Sequence, residues 1–268
     1  MEKDLVLSKY KRPEDKLLIS KFLDKIKTAE KTGKITISDF YNEAEQEIIS
    51  NVTRIIECKN VLLFGGYEDA ERKVAVIFPE KMEELVKEKN FKYDTLLSVV
   101  RLEIPFEQNT VYSHGVYLSG LIKLGIKREK VGDILVNNNG ADIIVKKEIE
   151  SFIYSNISSL TRFSNAKISL IKLSDMTVKP KEFKEIKIIT SSLRLDNIVS
   201  ELAKTSRNKA SEILMNERVF VNYENETKNT KQAKQGDIIT IRGKGKFILS
   251  EIVGNTKKGN YVINVLKY

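Results

Sequence analysis

The residues of this chain best suited to chemistry stand four in a row: Ser206, Arg207, Asn208 and Lys209. Serine is a favoured helix N-cap, its hydroxyl accepting from a backbone N–H two or three residues on. Ala210, Ile213 and Leu214 follow at the spacing of one helical face. The first turn of such a helix carries partial positive charge. Arg207 and Lys209 therefore oppose it, at a cost of roughly 0.3–1 kcal/mol each. A capping box would place Glu or Gln where Lys209 stands. Open backbone N–H groups beside two cations make a receptor for phosphate. Lysine is frequent along the whole chain, so a basic first turn that merely follows composition is the competing explanation.

Other chemistry is thinly provided. The single histidine, His114, lies in Ser113-His114-Gly115 at an expected helix start, and no nucleophile–base–acid spacing surrounds it. The single cysteine, Cys58, precedes a strand pattern and reads as a small buried residue. One His and one Cys cannot form a Cys/His zinc site, and no Asp/Glu cluster recommends magnesium. No catalytic residue, metal or cofactor is expected.

The elements that position the basic turn are legible on both sides. Leu195, Ile198, Val199 and Leu202 form the stripe of a preceding helix. Arg218–Asn222 is a short strand, and Gln235-Gly236-Asp237 leads into the strand Ile238–Ile241. Arg242-Gly243-Lys244-Gly245-Lys246 then precedes the strand Phe247–Leu249. The series resembles the RNA-binding domain named after ribosomal small-subunit protein four. Its marks here are Arg194-Leu195-Asp196, Ser206-Arg207-Asn208-Lys209-Ala210, Arg218-Val219-Phe220-Val221-Asn222 and Gly236-Asp237; Glu217 departs from the Gly of many relatives. The resemblance implies an RNA surface of Arg194, Lys204, Thr205, Ser206, Arg207, Asn208, Lys209, Arg218 and Asn222. Lys244 and Lys246 read equally as a basic extension of that surface or as hairpin lysines in solvent.

Charge agrees with an anionic partner. The chain of 268 residues carries a net +9, with 46 Lys/Arg against 37 Asp/Glu. Residues 191–268 hold 14 Lys/Arg against 8 Asp/Glu, a net +6, which leaves +3 for the rest. An apolar fraction of 41% suits globular cores, and no run approaches the ~18 apolar residues of a spanning helix. The N-terminus shows no apolar signal region. No membrane partner is expected, and the cytoplasm is the expected location.

The rest of the chain predicts an α+β protein of three domains: residues 1–90, 91–180 and 181–268. The first is an α/β domain. A helical stripe runs from Leu17 to Ile26, and a second pattern from Tyr41 to Ile56 has Ser38 or Asp39 as its cap. Strands at Val61–Phe64 and Val74–Phe78 flank Gly65–Lys73, which lacks the Gly-Lys-Ser/Thr of a phosphate loop and reads as a connection between antiparallel strands. The second domain shows the order β-α-β-β-α-β, a ferredoxin-like unit with the topology of RNA-recognition domains. Its central strands, Val99–Ile104 and Ala141–Val145, hold no aromatic on which a base could stack. It reads as a scaffold, although the loop Lys127, Arg128, Glu129, Lys130 could touch phosphate through its three cations. Lys181–Lys187 reads as a charged connector.

Taken whole, the chain resembles the YlmH family of bacterial RNA-binding proteins. The marks include Phe64-Gly65-Gly66-Tyr67 with Ala70–Lys73, His114-Gly115 with Tyr117-Leu118, Gly125–Arg128 and Gly132-Asp133-Ile134. The resemblance implies a non-enzymatic binder of structured ribosomal or transfer RNA. It further implies ribosome quality control on large subunits obstructed by peptidyl-tRNA, with a protein partner open to the N-terminal domains. Two alternatives stay open: an RNA-modifying enzyme with catalysis in residues 1–180, and an interaction adaptor linked to cell division.

Overall fold

The computed structural model describes residues 2–88, 91–105, 111–179 and 183–268. The chain divides into two compact units, 1–178 and 179–268. The expected segment 1–90 and residues 91–178 of the expected segment 91–180 share the first unit, and the expected boundary residues 90, 180 and 181 lie outside the described residues.

Helix α1 (Glu2–Ser8) precedes α2 (Pro13–Thr32). Pro13 opens α2, where its missing N–H costs nothing, Glu14 and Asp15 suit the first turn, and Gly33 closes it at φ +66°. After β1 (Thr36–Ile37) comes α3 (Glu43–Ile55), whose cap is Asn42 and not the expected Ser38 or Asp39. Asn42 and Glu45 form a capping box, while Ser38 is buried and accepts from the Ala75 N–H at 2.8 Å. Strands β2 (Val61–Phe64) and β3 (Val74–Ile77) pair antiparallel, as expected, and β1 adds to β3. Helix α4 (Glu83–Lys87) follows.

The second half of this unit runs β4 (Leu97–Glu103), α5 (His114–Lys123), β5 (Val131–Asn137), β6 (Gly140–Lys146), α6 (Glu150–Asn156), β7 (Lys167–Ile171). The sheet order β5-β6-β4-β7, antiparallel throughout, is the ferredoxin-like order. Both faces of its central strands are buried. Val100, Leu102, Ala141, Ile143 and Val145 pack with Tyr117, Leu121 and Ile153 of the helices. Leu97, Val99 and Ile144 pack on the opposite face with Phe40, Val74, Val76 and Phe78. Gly132 permits this, because a Cβ there would lie 2.7 Å from the Phe40 ring. The covered face also holds an ion pair in which Arg101 donates to both oxygens of the buried Asp142, at 2.6 and 2.7 Å.

The second unit contains β8 (Lys184–Thr190), α7 (Leu195–Ala203), α8 (Arg207–Met215), β9 (Val219–Val221), β10 (Glu224–Asn225), β11 (Ile238–Ile241), β12 (Gly245–Asn255) and β13 (Tyr261–Lys267). They form one antiparallel sheet, β10-β9-β11-β12-β13-β8, with both helices packed on one face. The expected connector Lys181–Lys187 is corrected here. Residues 181 and 182 lie outside the described residues, and from Lys184 onward the chain is strand β8. Ile186 and Ile188 point into the core, while Lys184, Glu185 and Lys187 are exposed and supply the charge that masked the alternation. The β12–β13 hairpin is a further feature that the sequence pattern did not reveal.

Candidate nucleic-acid interface

The turn between α7 and α8 is built from backbone outward. Arg194 stands at the start of α7 with no side-chain cap; the N–H groups of Leu195 and Asp196 instead reach the carbonyls of Lys231 and Asn229, at 2.8 and 3.2 Å. Helix α7 ends at Lys204, whose φ of +52° is left-handed. That C-terminal position favours glycine, because a side chain there crowds the backbone. Thr205 is half-buried; its N–H bonds the Ser200 carbonyl and its carbonyl accepts the Ser200 hydroxyl. Ser206 then caps α8, accepting from the Lys209 N–H at 3.3 Å. The N–H groups of Arg207 and Asn208 find no acceptor among the described residues. Lys204, Ser206, Arg207, Asn208 and Lys209 are all exposed.

The cations here have local partners. Arg207 donates to the Ser191 hydroxyl, which also accepts from Asn197 at 3.3 Å. Lys209 pairs with Glu212 at 2.6 Å, both side chains more than half exposed. Arg194 clasps Asp196 through two nitrogens, at 3.1 and 2.7 Å, and this bonding holds the Asp196 carboxyl below its usual range. Arg194 is thereby committed to the fold more than Arg207 and Lys209 are.

The remaining expected contacts fall elsewhere. Arg218 follows the C-terminus of α8, about 13 Å from its start for nine helical residues. Its guanidinium bonds the Arg242 carbonyl at 3.0 Å, gathering Arg218, Arg242 and Lys244 at the β11–β12 turn. Arg242 was not among the expected site residues, although the Arg-Gly-Lys turn carried the signal. Asn222 serves the fold. Its side chain donates to Asp237 and accepts from the Ile238 N–H, both at 2.9 Å. Asp237 also accepts from the Lys234 N–H at 2.8 Å. The Asn222 and Gly236-Asp237 marks are thus two halves of one pair of tied turns. Glu217 takes φ +56°, the left-handed state for which glycine is suited.

In the first unit, the loop of Lys127, Arg128 and Lys130 is divided. Lys127 is exposed. Lys130 pairs with Asp39 at 2.8 Å and Glu148 at 3.1 Å. Arg128 donates to the carbonyls of Val131 and Gly132, at 2.5 and 3.1 Å; burial, then repulsion from Arg72, lowers its pKa to about 10. Arg72 reaches the carbonyls of Val131 and Phe40, at 3.1 and 2.9 Å. The buried Asp133 accepts from the Tyr67 hydroxyl and the N–H groups of Glu71 and Arg72, at 2.7, 2.8 and 3.1 Å. The family-like marks of residues 64–73 and 132–134 meet here as a latch between the β2–β3 connection and β5. His114 opens α5, and burial, then Arg128, pushes its pKa down.

An α+β chain with a cationic helix start on a small helix–sheet module falls in the class of RNA-binding proteins. It is similar to proteins of the YlmH family. Residues 87–176 match the family model described as "Putative RNA-binding domain in YlmH". Over 252 residues the chain is 29% identical to "Ribosome-associated protein quality control protein P2" of Bacillus subtilis (strain 168), spanning 93% of this chain and 94% of that protein. It is also similar to the solved structure "Cell division protein ylmH from Streptococcus pneumoniae", at TM-score 0.45 and 16% identity, over 61% of this chain and 93% of that one. The family match falls on the ferredoxin-like sheet, which the sequence reads as a scaffold. Its central strands are covered on both faces, which leaves them no open surface on which a base could stack. Among the described residues, no helix is long and apolar enough to cross a membrane.

Proposed function

We propose that this protein is a non-enzymatic, ribosome-associated RNA binder of the cytoplasm. It recognises structured ribosomal or transfer RNA and acts in quality control on large subunits obstructed by peptidyl-tRNA. The observation that carries the RNA reading is the start of α8: two exposed cations and two open N–H groups on a helix end that ordinarily selects acids. Lys204, held left-handed beside it, adds a third cation. The quality-control reading is supported by the likeness to the B. subtilis protein along nearly the whole of both chains. The non-enzymatic reading is supported by the thin acid–base inventory: the single histidine, His114, is the exposed first residue of α5.

Sedimentation of the full chain with ribosomal particles tests this. It should travel with large subunits carrying peptidyl-tRNA and much less with vacant ones, and the RNA recovered should be unmodified by mass spectrometry. Equal distribution between the two particles would sink the quality-control reading. Protein-dependent modification of the RNA would move the function to the enzymatic class.

A further inference from the structure

Asn222 and Tyr223 have φ values of +48° and +68°. They are the two left-handed residues of the turn joining β9 to β10, a turn for which Asn-Gly is the favoured pair. Asn tolerates that backbone and ties its side chain to Asp237. Tyrosine is a poor choice at the second position, and a bulky residue held there directs attention to what its side chain meets.

The ring meets a cation. Lys246 Nζ lies 5.4 Å from the centroid of Tyr223 and 4.4 Å from that of Tyr268, and Tyr268 meets Phe183 edge-on at 4.9 Å. The Tyr268 backbone is fixed by its N–H bond to the Lys246 carbonyl at 3.0 Å. Lys246, Thr240 and Phe220 stand opposite one another across three strands. Phe220 lies between the buried Val219 and Val221, so this row faces away from α7 and α8. The Arg242 guanidinium covers the Phe220 ring at 4.8 Å. Phe183 and Tyr268 are about two-fifths exposed, and Phe220 and Tyr223 are half-buried.

Rings interleaved with cations on an open sheet suit unpaired nucleotides. Each base offers a π-face to an aromatic ring while lysine and arginine hold the backbone. A paired A-form stem keeps its bases stacked on one another and shows side chains only edges and phosphates. We propose that the outer face of the second unit's sheet binds unpaired RNA, with Tyr223 and Tyr268 as base platforms and Lys246 and Arg242 on the phosphates. This rests on the reading that the second unit binds RNA. It adds a surface opposite the helix start that takes structured RNA.

The test compares two labelled RNAs on the full chain: an oligouridylate of about 12 nucleotides, and a fully paired hairpin. Tyr223→Gly and Tyr268→Leu should each weaken oligouridylate binding by about tenfold or more, and leave hairpin binding within about twofold. Tyr223→Gly should melt no lower than the wild type, since glycine suits the backbone there. Ultraviolet cross-linking of the oligouridylate should mark the peptides that hold Tyr223 and Tyr268. Unchanged oligouridylate affinity in both variants, or equal losses on both RNAs, would overturn the proposal. A chain that binds the hairpin and ignores the oligouridylate would overturn this inference alone. A chain that binds neither RNA would overturn it together with the proposed function.

Discussion

Lys209 Nζ lies 2.6 Å from Glu212 Oε2, three residues on along the same face of α8. The pair is exposed, so it contributes only a few tenths of a kcal/mol. It nevertheless changes what a charge reversal does. Lys209→Glu would offer Ser206 a capping-box partner and place like charges at positions 209 and 212.

The double variant Arg207→Glu with Lys209→Glu should weaken binding to structured RNA by at least tenfold. Its stability should stay within about 1 kcal/mol of wild type. The helix dipole and the new cap gain roughly 0.3–1 kcal/mol per acid, and repulsion from Glu212 with loss of the Arg207–Ser191 bond offsets part of that. RNA titration and urea midpoint on the same preparation test both halves. Wild-type affinity would remove the phosphate site from α8.

Lys204 and Glu217 make a matched pair of left-handed side chains. Glycine at either position should raise stability by about 1 kcal/mol, the order of the steric cost relieved. Only Lys204→Gly should weaken RNA binding, by several-fold, because only it removes a cation. Glu217→Gly removes an acid and should leave affinity equal or slightly higher. Equal affinities for the two variants would show that Lys204 is no contact.

Salt should govern binding. If the α8 start and the β11–β12 turn together engage about five phosphates, affinity should drop roughly 10²-fold between 50 and 200 mM salt. A titration series over that range measures the slope. A slope near zero would make the +6 charge of residues 191–268 irrelevant to binding.

Stability should depend on acid through the first unit. Burial works to raise the pKa of Asp39 and Glu148, but hydrogen bonds from Lys130 and Lys146 outweigh it, and both end below their ordinary values. Lys146 is nearly buried, 3.1 Å from each carboxylate. Folded values below unfolded ones mean that this contribution is whole above about pH 4.5 and is lost as pH falls through the folded values. The urea midpoint should hold from pH 7 to about 5 and fall below about pH 4. Asp39→Asn should cost roughly 1–3 kcal/mol at pH 7 by leaving Lys146 half-partnered, and should make the acid fall shallower. An unchanged acid profile in that variant would exclude the cluster as its source.

Local rules made much of this protein legible from its sequence. Ser206 as a cap, the α7 stripe of Leu195, Ile198, Val199 and Leu202, and the strands at Val219 and Ile238 follow from periodicity and capping, which act within a few residues. The order β-α-β-β-α-β likewise foretold the ferredoxin-like sheet. Contacts between distant residues were decided only by the tertiary structure. Phe40 against Gly132 buries the sheet face that a topology argument leaves open. Lys130 looks like a free cation in sequence, yet it closes on the carboxylates of Asp39 and Glu148, brought from elsewhere in the chain. Strand β8 hid behind its lysines because its partner, β13, lies more than seventy residues away. Tyr223 became notable only once its backbone proved left-handed and its ring lay beside Lys246. Local preference is a short-range energy that one stretch of sequence contains. Burial and charge pairing depend on which distant groups the fold brings together.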